Sequence, residues 1–285
     1  MRCLTPKTLG EMADALSQFT DKSKVVAGGT DYVIQARWGK FDPDILLYPG
    51  LIPELHEVRL GERELRVGAM ATMWEITKVL ESVPAFRAVA DAASDVGSPQ
   101  IRNKATMAGN LCNASPAGDM LPVSWLYDAK LELLCGDGST RLLPVDQFIL
   151  GPQKNALEPG QAVISVIMDQ KPFEGCVSAF KKIGSRERVS ISREGMAALV
   201  RMGKDGTVEQ ARFTVGAVAS TPLRVPEAEA LMVGRYLEDS DLLSAVTKII
   251  SQPIHDNCRP ANRLYKKEAA RGLTADLFAR LQERI

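Results

Sequence analysis

Residues 97–119 constrain the fold of this chain more than any other segment. They are rich in Gly, Asn, Ser and Pro, carry few charges and show no regular helical or strand periodicity. Apolar elements flank the segment on both sides. A long irregular segment of this kind is usually functional or disordered, and the low charge argues against disorder. The sequence therefore predicts an ordered loop on a folded scaffold.

A second unusual segment lies near the amino terminus, where a short apolar strand runs into two glycines and a hydroxyl residue. It consists of Val25, Val26, Ala27, Gly28, Gly29, Thr30, Asp31 and Tyr32. Glycine permits positive φ and lets backbone amides approach a ligand, so such a turn can form a nest for phosphate oxygens. Taken alone, the segment favours a plain tight turn. It matches neither the Gly-x-Gly-x-x-Gly pattern nor the Gly-x-x-x-x-Gly-Lys-Ser/Thr pattern, so a Rossmann or P-loop site is not supported.

The second half of the 97–119 segment places polar side chains among small residues. These side chains belong to Thr106, Asn110, Asn113, Ser115 and Asp119. They suit a ligand with hydroxyl and diphosphate groups, and backbone amides near Gly109 are candidates for the phosphate oxygens. An ionised carboxylate only accepts hydrogen bonds, so Asp119 suits ribityl or ribose hydroxyls and not phosphate. The alternative is a structural loop capped by its own Asn and Ser side chains.

The rest of the chain predicts an α+β fold. Thr8-Leu9-Gly10-Glu11 and Thr72-Met73-Trp74-Glu75 have the form of capping boxes and predict helix starts. Strand patterns between residues 177 and 218 precede predicted helices over 225–285. We predict an amino-terminal domain over residues 1–172, divided into subdomains 1–55 and 56–172, and a smaller carboxyl-terminal sheet-and-helix domain over residues 173–285.

Charge and cysteine content exclude several classes of function. Lys plus Arg and Asp plus Glu number 35 each, so no overall field attracts nucleic acid or an anionic membrane. No apolar stretch approaches the ~20 residues that span a bilayer, and no apolar signal segment is present, so we expect a cytoplasmic protein. The five cysteines lack metal-ligand spacing, which predicts reduced thiols and no metal site in this chain.

The two loop segments, in this order and at this separation, resemble the FAD-binding subunits of xanthine dehydrogenase, carbon monoxide dehydrogenase and related molybdenum hydroxylases. Residues 27–31 match the Ala-Gly-Gly-Thr-Asp motif of that family, and residues 106–119 match its Thr-Ile-Gly-Gly-Asn-x-x-x-Ala-Ser-Pro-x-x-Asp motif. The resemblance covers most of the chain. It implies a PCMH-type (vanillyl-alcohol oxidase-like) FAD-binding domain and a carboxyl-terminal domain of the CO dehydrogenase flavoprotein type.

The resemblance also implies which residues hold FAD. The diphosphate and ribityl chain are expected at residues 25–32 and at Thr106, Ala108, Gly109, Asn110 and Asp119. Ala108 departs from the family, which commonly has glycine there. Val163 falls where the family supplies a backbone contact near the isoalloxazine ring.

A flavin-contacting lysine is expected at Lys181. Lys182 competes with it, because adjacent strand residues point to opposite faces. The middle of the chain is the loosest match. Asn155 and Gln161 stand where the family often has Thr and Glu, so we assign neither a polar role.

The resemblance implies an oxidoreductase subunit that passes electrons from iron–sulfur clusters through FAD to an external acceptor such as NAD. Molybdopterin and [2Fe-2S] clusters are expected in partner subunits, and no residue of this chain is expected to act on the hydroxylated substrate. Purines, aldehydes, aromatic acyl-CoA compounds and carbon monoxide all remain open as substrates. The alternatives are a self-contained FAD-dependent reductase of the same superfamily and a non-catalytic scaffold subunit that has lost FAD. The intact glycine pair argues against the scaffold.

Overall fold

The computed structural model describes residues 1–186 and 189–285. These residues form two compact units. Unit 1 comprises Met1–Ile76, Pro99–Ala114 and Asp128–Gln170, and unit 2 comprises Thr77–Ser98, Ser115–Tyr127 and Lys171–Ile285. Because each unit draws on three separate segments, the domain division at residue 172 stays a prediction and does not describe these units.

The strands of the described residues form four sheets. Their bounds are β1 (Arg2–Leu4), β2 (Lys24–Val25), β3 (Ile45–Leu47), β4 (Val58–Leu60), β5 (Glu64–Gly68), β6 (Lys130–Cys135), β7 (Thr140–Pro144), β8 (Ile149–Gly151), β9 (Lys154–Asn155), β10 (Gln161–Asp169), β11 (Cys176–Gly184), β12 (Ser192–Met202), β13 (Val208–Gly216) and β14 (Leu223–Arg224).

The helices are mostly short in the first half of the chain and longer at its end. Their bounds are α1 (Leu9–Leu16), α2 (Tyr32–Arg37), α3 (Met73–Leu80), α4 (Arg87–Asp95), α5 (Pro99–Arg102), α6 (Met107–Asn113), α7 (Met120–Leu126), α8 (Val145–Phe148), α9 (Pro226–Met232), α10 (Ser240–Asn257) and α11 (Arg263–Gln282). None of these helices, within the ranges 1–186 and 189–285, is long and apolar enough to cross a membrane.

Unit 1 contains a parallel sheet of order β1-β3-β2, an antiparallel sheet of order β4-β5-β10-β6-β7, and the β8-β9 hairpin. Apolar side chains from α1 and from both larger sheets pack into one core, which includes Met12, Leu16, Leu47, Leu55, Leu134 and Ile164. This burial supplies most of the stabilisation that such short elements need, because short helices and strands are marginal alone.

The predicted capping box is confirmed at Thr72, whereas at Thr8 only the side-chain cap is present, because the Glu11 carboxylate accepts from the Lys7 amide and not from the Thr8 amide. The Thr8 side chain accepts a hydrogen bond of 3.1 Å from the Glu11 amide at the start of α1. Before α3, the Thr72 amide donates to Glu75 Oε2 at 2.8 Å, and the Glu75 amide donates to Thr72 Oγ1 at 3.3 Å. Such reciprocal bonds satisfy amides that a helix start leaves free.

Unit 2 is built on an antiparallel sheet of order β11-β12-β13-β14. Helices α4, α7 and α11 contact this sheet, and α10 packs against α11. The core between the sheet and the last helices includes Met196, Ala198, Val200, Phe213, Val246, Ile250, Leu273 and Leu277. The mixture of sheets and helices, with β11 to β14 followed by α9 to α11 in the last part of unit 2, confirms the α+β fold class.

The prediction that residues 97–119 form an irregular loop is wrong in part, because this segment contains α5 and α6. Helix α6 has seven residues, among them Gly109, Asn110 and Asn113, which have low helix propensity. Its C-cap is Ala114, whose left-handed backbone has φ 48°. The short strand β1 and helix α2 are further elements that the sequence pattern did not predict.

Candidate functional site

The glycine turn, defined as residues 26–31, connects β2 to α2 in unit 1. The Val26 amide donates to the Leu47 carbonyl at 2.9 Å, next to the parallel pairing of β2 with β3. Gly29 has φ 69°, a left-handed conformation that favours glycine. Its carbonyl accepts a hydrogen bond of 3.0 Å from the Val33 amide. The backbone therefore holds the turn at both ends.

Gly28 brings this turn against the segment that leads into α6. A Cβ atom at Gly28 would lie 2.5 Å from the carbonyl carbon of Lys104 and closer still to its oxygen. Real Cβ atoms do not approach backbone atoms so closely, so a residue without a side chain is required there. The two segments that the sequence singled out are thus in direct contact, through a Lys104 carbonyl that the sequence did not mark.

The residues in and next to the glycine turn differ in exposure. Val25 and Asp31 are exposed, whereas Val26, Ala27, Gly28, Gly29, Thr30 and Tyr32 are half-buried. The Asp31 carboxylate accepts a hydrogen bond from the Gln35 side chain, and the Tyr32 ring stacks on Phe41 with centroids 5.4 Å apart. These contacts order the start of α2 directly after the turn.

Thr106 begins α6 and is only 3% exposed. Its Oγ1 accepts a hydrogen bond of 3.0 Å from the Gly109 amide, so both groups serve the helix cap. The backbone of Thr106 bridges to Thr72, which anchors the start of α6 within unit 1. Ala108 is buried, so the methyl group that distinguishes it from the family's glycine packs in the interior.

Asn110 presents a buried acceptor without a protein partner. Its Oδ1 atom is inaccessible to solvent and has no hydrogen-bond partner among the described residues. Leaving a buried polar atom unpaired costs about 1–3 kcal/mol. An unpaired buried acceptor of this kind calls for an explanation such as a ligand.

Val163 is buried in β10, immediately before an irregularity in the sheet. The pairing of β10 with β6 shifts register between Val163 and Ser165. The Ile164 carbonyl, at the bulge, accepts a hydrogen bond of 2.9 Å from the Ala69 amide. A bulge interrupts the regular ladder and changes the direction of backbone groups. The backbone, and not the apolar side chain, is therefore the part of Val163 that could meet a polar ligand.

Asp119 and Lys182 form a buried ion pair in unit 2. Lys182 Nζ lies 2.6 Å from Asp119 Oδ2, and both side chains are only 9% exposed. The ammonium group also donates to the Asp95 carbonyl at 2.7 Å, and the Ser192 hydroxyl donates to Asp119 Oδ1. Burial raises the pKa of Asp119 above its usual value, while Lys182 and Ser192 oppose this shift. Lys181 takes no part in this network.

The predicted site residues are distributed over both units. Unit 1 holds residues 25–32 and Thr106, Ala108, Gly109, Asn110 and Val163, and unit 2 holds Asp119, Lys181 and Lys182. Ser192 was missed because a serine at a strand start carries no distinctive signal in the sequence. Asn155 was given no polar role, yet its side-chain amide donates to the Cys112 carbonyl in α6 at 2.6 Å.

Comparisons with known proteins agree with this architecture along the whole chain. A family model described as "FAD binding domain in molybdopterin dehydrogenase" matches residues 1–168, and one described as "CO dehydrogenase flavoprotein C-terminal domain" matches residues 178–281. The nicotinate dehydrogenase FAD-subunit of Eubacterium barkeri is 33% identical over 98% of this chain and 95% of its own length. The xanthine dehydrogenase FAD-binding subunit of Escherichia coli O157:H7 is 33% identical over 85% of this chain and 83% of its own length.

Among solved structures, CO dehydrogenase from Oligotropha carboxidovorans matches with a TM-score of 0.88 and 22% identity, covering 100% of this chain and 98% of that chain. It shares the fold. The resemblance that the sequence motifs indicated is confirmed, and the chain belongs to the family of FAD-binding domains of molybdopterin dehydrogenases.

Proposed function

We propose that this chain binds FAD noncovalently at the glycine turn and at α6, and that it is the electron-transfer subunit of a molybdenum hydroxylase. In this role it passes electrons from iron–sulfur clusters in one partner subunit to an external acceptor such as NAD. A second partner subunit carries the molybdenum cofactor at which the substrate is hydroxylated. The contact between Gly28 and Lys104 carries the proposal, because it joins the two family motifs within unit 1.

Two features of unit 1 fit FAD. The absence of a side chain at Gly28 lets the glycine turn pack against Lys104, and Gly29 adopts a positive φ, a conformation in which neighbouring backbone amides can form a nest for the diphosphate oxygens. The buried Oδ1 atom of Asn110 lacks a donor, and the ribityl chain of FAD supplies hydroxyl donors.

FAD, when bound, supplies the redox chemistry, and the protein binds, orients and tunes it. The family resemblance implies a lysine beside the flavin, at Lys181 or Lys182, and Lys182 pairs with Asp119, the acidic residue of the second motif. A fixed ammonium group there stabilises negative charge that develops on reduction. Val163 adds a backbone contact beside the bulge in β10.

The names of the relatives support the division of labour that we propose. The matched proteins from Eubacterium barkeri and Escherichia coli are described as FAD subunits of dehydrogenases, so in those enzymes other chains complete the complex. The family-model matches support domains over residues 1–172 and 173–285. The five cysteines are all free thiols, which suits the reducing cytoplasm where we place the protein.

The isolated chain is expected to be yellow but unable to hydroxylate purines, aldehydes or aromatic acyl-CoA compounds. The purified protein should show a flavin absorbance spectrum, with no iron, acid-labile sulfide or molybdenum on analysis. Slow reduction of an artificial dye by NADH is compatible with the proposal, because a bound flavin can exchange electrons alone. Addition of the iron–sulfur and molybdenum subunits should restore substrate oxidation.

Two outcomes of this experiment would favour the alternatives. Metal-free turnover of one of these substrates by the single chain would point to a self-contained reductase. A colourless protein that cannot be reconstituted with FAD would point to a scaffold.

Replacing Gly28 with alanine is expected to weaken FAD binding at least about 100-fold, or about 2.7 kcal/mol. The new Cβ would overlap the Lys104 carbonyl, so the glycine turn must move away from α6. Titration of the apoprotein with FAD, followed by flavin fluorescence, measures the change. Gly10→Ala is the matched control, because a Cβ at Gly10 would meet only Thr8 Oγ1, at 3.9 Å. Equal FAD affinity in the wild type and Gly28→Ala would remove the basis for placing FAD at this contact.

A further inference from the structure

The carboxyl-terminal end of α6 is held by the β8-β9 hairpin. The last carbonyls of a helix have no partner within the helix and must be satisfied from outside. Asn155 Nδ2, in β9, donates to the Cys112 carbonyl at 2.6 Å, and the Gln153 amide donates to the Ala114 carbonyl at 2.9 Å. Two of these carbonyls are thus satisfied by one hairpin.

The Asn155 side chain is itself fixed at both of its polar atoms. While Nδ2 donates to α6, Oδ1 accepts a hydrogen bond of 3.0 Å from the Leu157 amide. The backbone around it is held by the pairing of Ile149 with Asn155 and by a bond of 2.9 Å from the Ala156 amide to the Phe148 carbonyl. The Asn155 side chain is therefore held in one orientation by hydrogen bonds at both of its polar atoms.

Helix α6 needs such an anchor. It has seven residues, and isolated helices shorter than about 12 residues are marginal in water. Its start is fixed by the Thr106 cap, and its end by Asn155 and Gln153. Gly109 and Asn110 lie between these two attachments, and Asn110 is only two residues before the carbonyl that Asn155 holds.

We propose that Asn155 is a positioning residue of the FAD site, which sets the placement of Gly109 and Asn110 by holding the Cys112 carbonyl. This inference rests on the proposed function. Asn155 does not itself touch FAD in this proposal. Its loss lets the end of α6 move, so that the buried acceptor of Asn110 no longer meets its donor on the ligand.

Asn155→Asp tests the proposal with almost no change in shape. The aspartate keeps the acceptor for the Leu157 amide, but at about pH 8 it places a second acceptor, and a charge, against the Cys112 carbonyl. We expect FAD to bind about tenfold more weakly than to the wild type, the usual size for loss of one well-formed hydrogen bond in a buried setting. Asn155→Ala, which loses both bonds, should weaken binding at least as much.

Acidification provides the readout that distinguishes positioning from general damage. A carboxyl group facing a carbonyl oxygen holds its proton to higher pH than a free one, and the protonated form again donates a hydrogen bond. The ratio of the FAD affinity of Asn155→Asp to that of the wild type should therefore rise towards 1 as the pH is lowered from about 8 to about 5. The Asn155→Ala deficit should stay constant over that range. Asn262→Asp, the same change at an exposed position in unit 2, should match the wild type at both pH values.

Each outcome has a distinct meaning. If the wild type binds FAD and Asn155→Asp binds it equally well at about pH 8, the positioning role is wrong and the proposed function stands. A deficit that does not recover on acidification also overturns the role, because it would reflect general disruption. Failure of the wild type to bind FAD would instead overturn the proposed function.

Discussion

Replacing Glu194 with glutamine is expected to stabilise the folded protein by about 3–5 kcal/mol at pH 8 to 9, and to have little effect near pH 4. Glu194 lies in β12 and is 0% exposed, and neither of its side-chain oxygens has a hydrogen-bond partner among the described residues. Burial raises the pKa of this carboxyl from 4.5 to about 8, although Lys266 lowers it in part. Burial also raises the pKa of the nearby Cys258 thiol.

The sign of the effect follows from proton binding. Between pH 4.5 and about pH 8 the folded protein keeps a proton on Glu194 that the unfolded chain releases. The free energy of unfolding therefore falls as pH rises through this interval, and the full loss is present above it. A pKa change of 1 corresponds to about 1.4 kcal/mol of free energy of unfolding. The rise from 4.5 to about 8 therefore gives the upper end of the expected stabilisation. Glutamine is neutral throughout and escapes this loss.

Urea denaturation of both proteins at several pH values between about 4 and 9 measures the difference. Glu268→Gln is the control, because this substitution makes the same chemical change at a residue that is exposed on α11. It should leave stability unchanged within about 0.5 kcal/mol. Parallel pH profiles for the wild type and Glu194→Gln would show that Glu194 does not carry the burial cost assigned to it.

Asp119→Ala is expected to lower the free energy of unfolding by about 3–5 kcal/mol, because removal of one partner leaves a buried charge uncompensated. The partner is Lys182, whose side chain is 9% exposed and whose ammonium group would keep only neutral carbonyl acceptors. Chemical denaturation of the FAD-free protein isolates this effect from cofactor binding.

A second substitution provides the control for the ion pair. Adding Lys182→Met to Asp119→Ala removes the uncompensated charge, so most of the lost stability should return. A direct contact from Asp119 to FAD stays a prediction, and it should be tested only after the stability of each variant is known. If Asp119→Ala changed the free energy of unfolding by less than about 1 kcal/mol, the Asp119–Lys182 pair would not be important for the stability of the fold.

The sequence predicted those parts of the fold that depend on local chemistry. The helix caps at Thr8 and Thr72 were recognisable because the residues that bond to each other are three apart. Helix α6 was missed because Gly109, Asn110 and Asn113, three of its seven residues, are poor helix formers. Its end also accepts a hydrogen bond from Asn155, which follows Cys112 by 43 positions and so gives no local signal.

The candidate site shows the same limit. Two glycines followed by a hydroxyl indicated a close backbone approach, but nothing local identified the Lys104 carbonyl as the group approached. Strand alternation indicated that Lys181 and Lys182 face opposite ways and could not say which one meets an acidic partner. That answer required Asp119, 63 positions away. The burial of Glu194 in β12 was not predicted, because a charged side chain is ordinarily expected at the surface.

The order in which the segments of unit 2 occur along the chain affects how the protein can be synthesised. Helices α4 and α7 bury Ala88, Val89, Leu121 and Val123, and the Tyr127 hydroxyl donates to the Ala85 carbonyl, yet the sheet of unit 2 begins only at Cys176. A ribosome that adds roughly 5–20 residues per second therefore exposes these apolar helices for several seconds before β11 to β13 exist to cover them. Unit 1 has all of its segments once Gln170 has emerged, so it can fold first and hold the nascent chain in a partly native state. We therefore expect α4 and α7 to be the segments of unit 2 most prone to aggregation during synthesis, until the carboxyl-terminal strands and helices cover them.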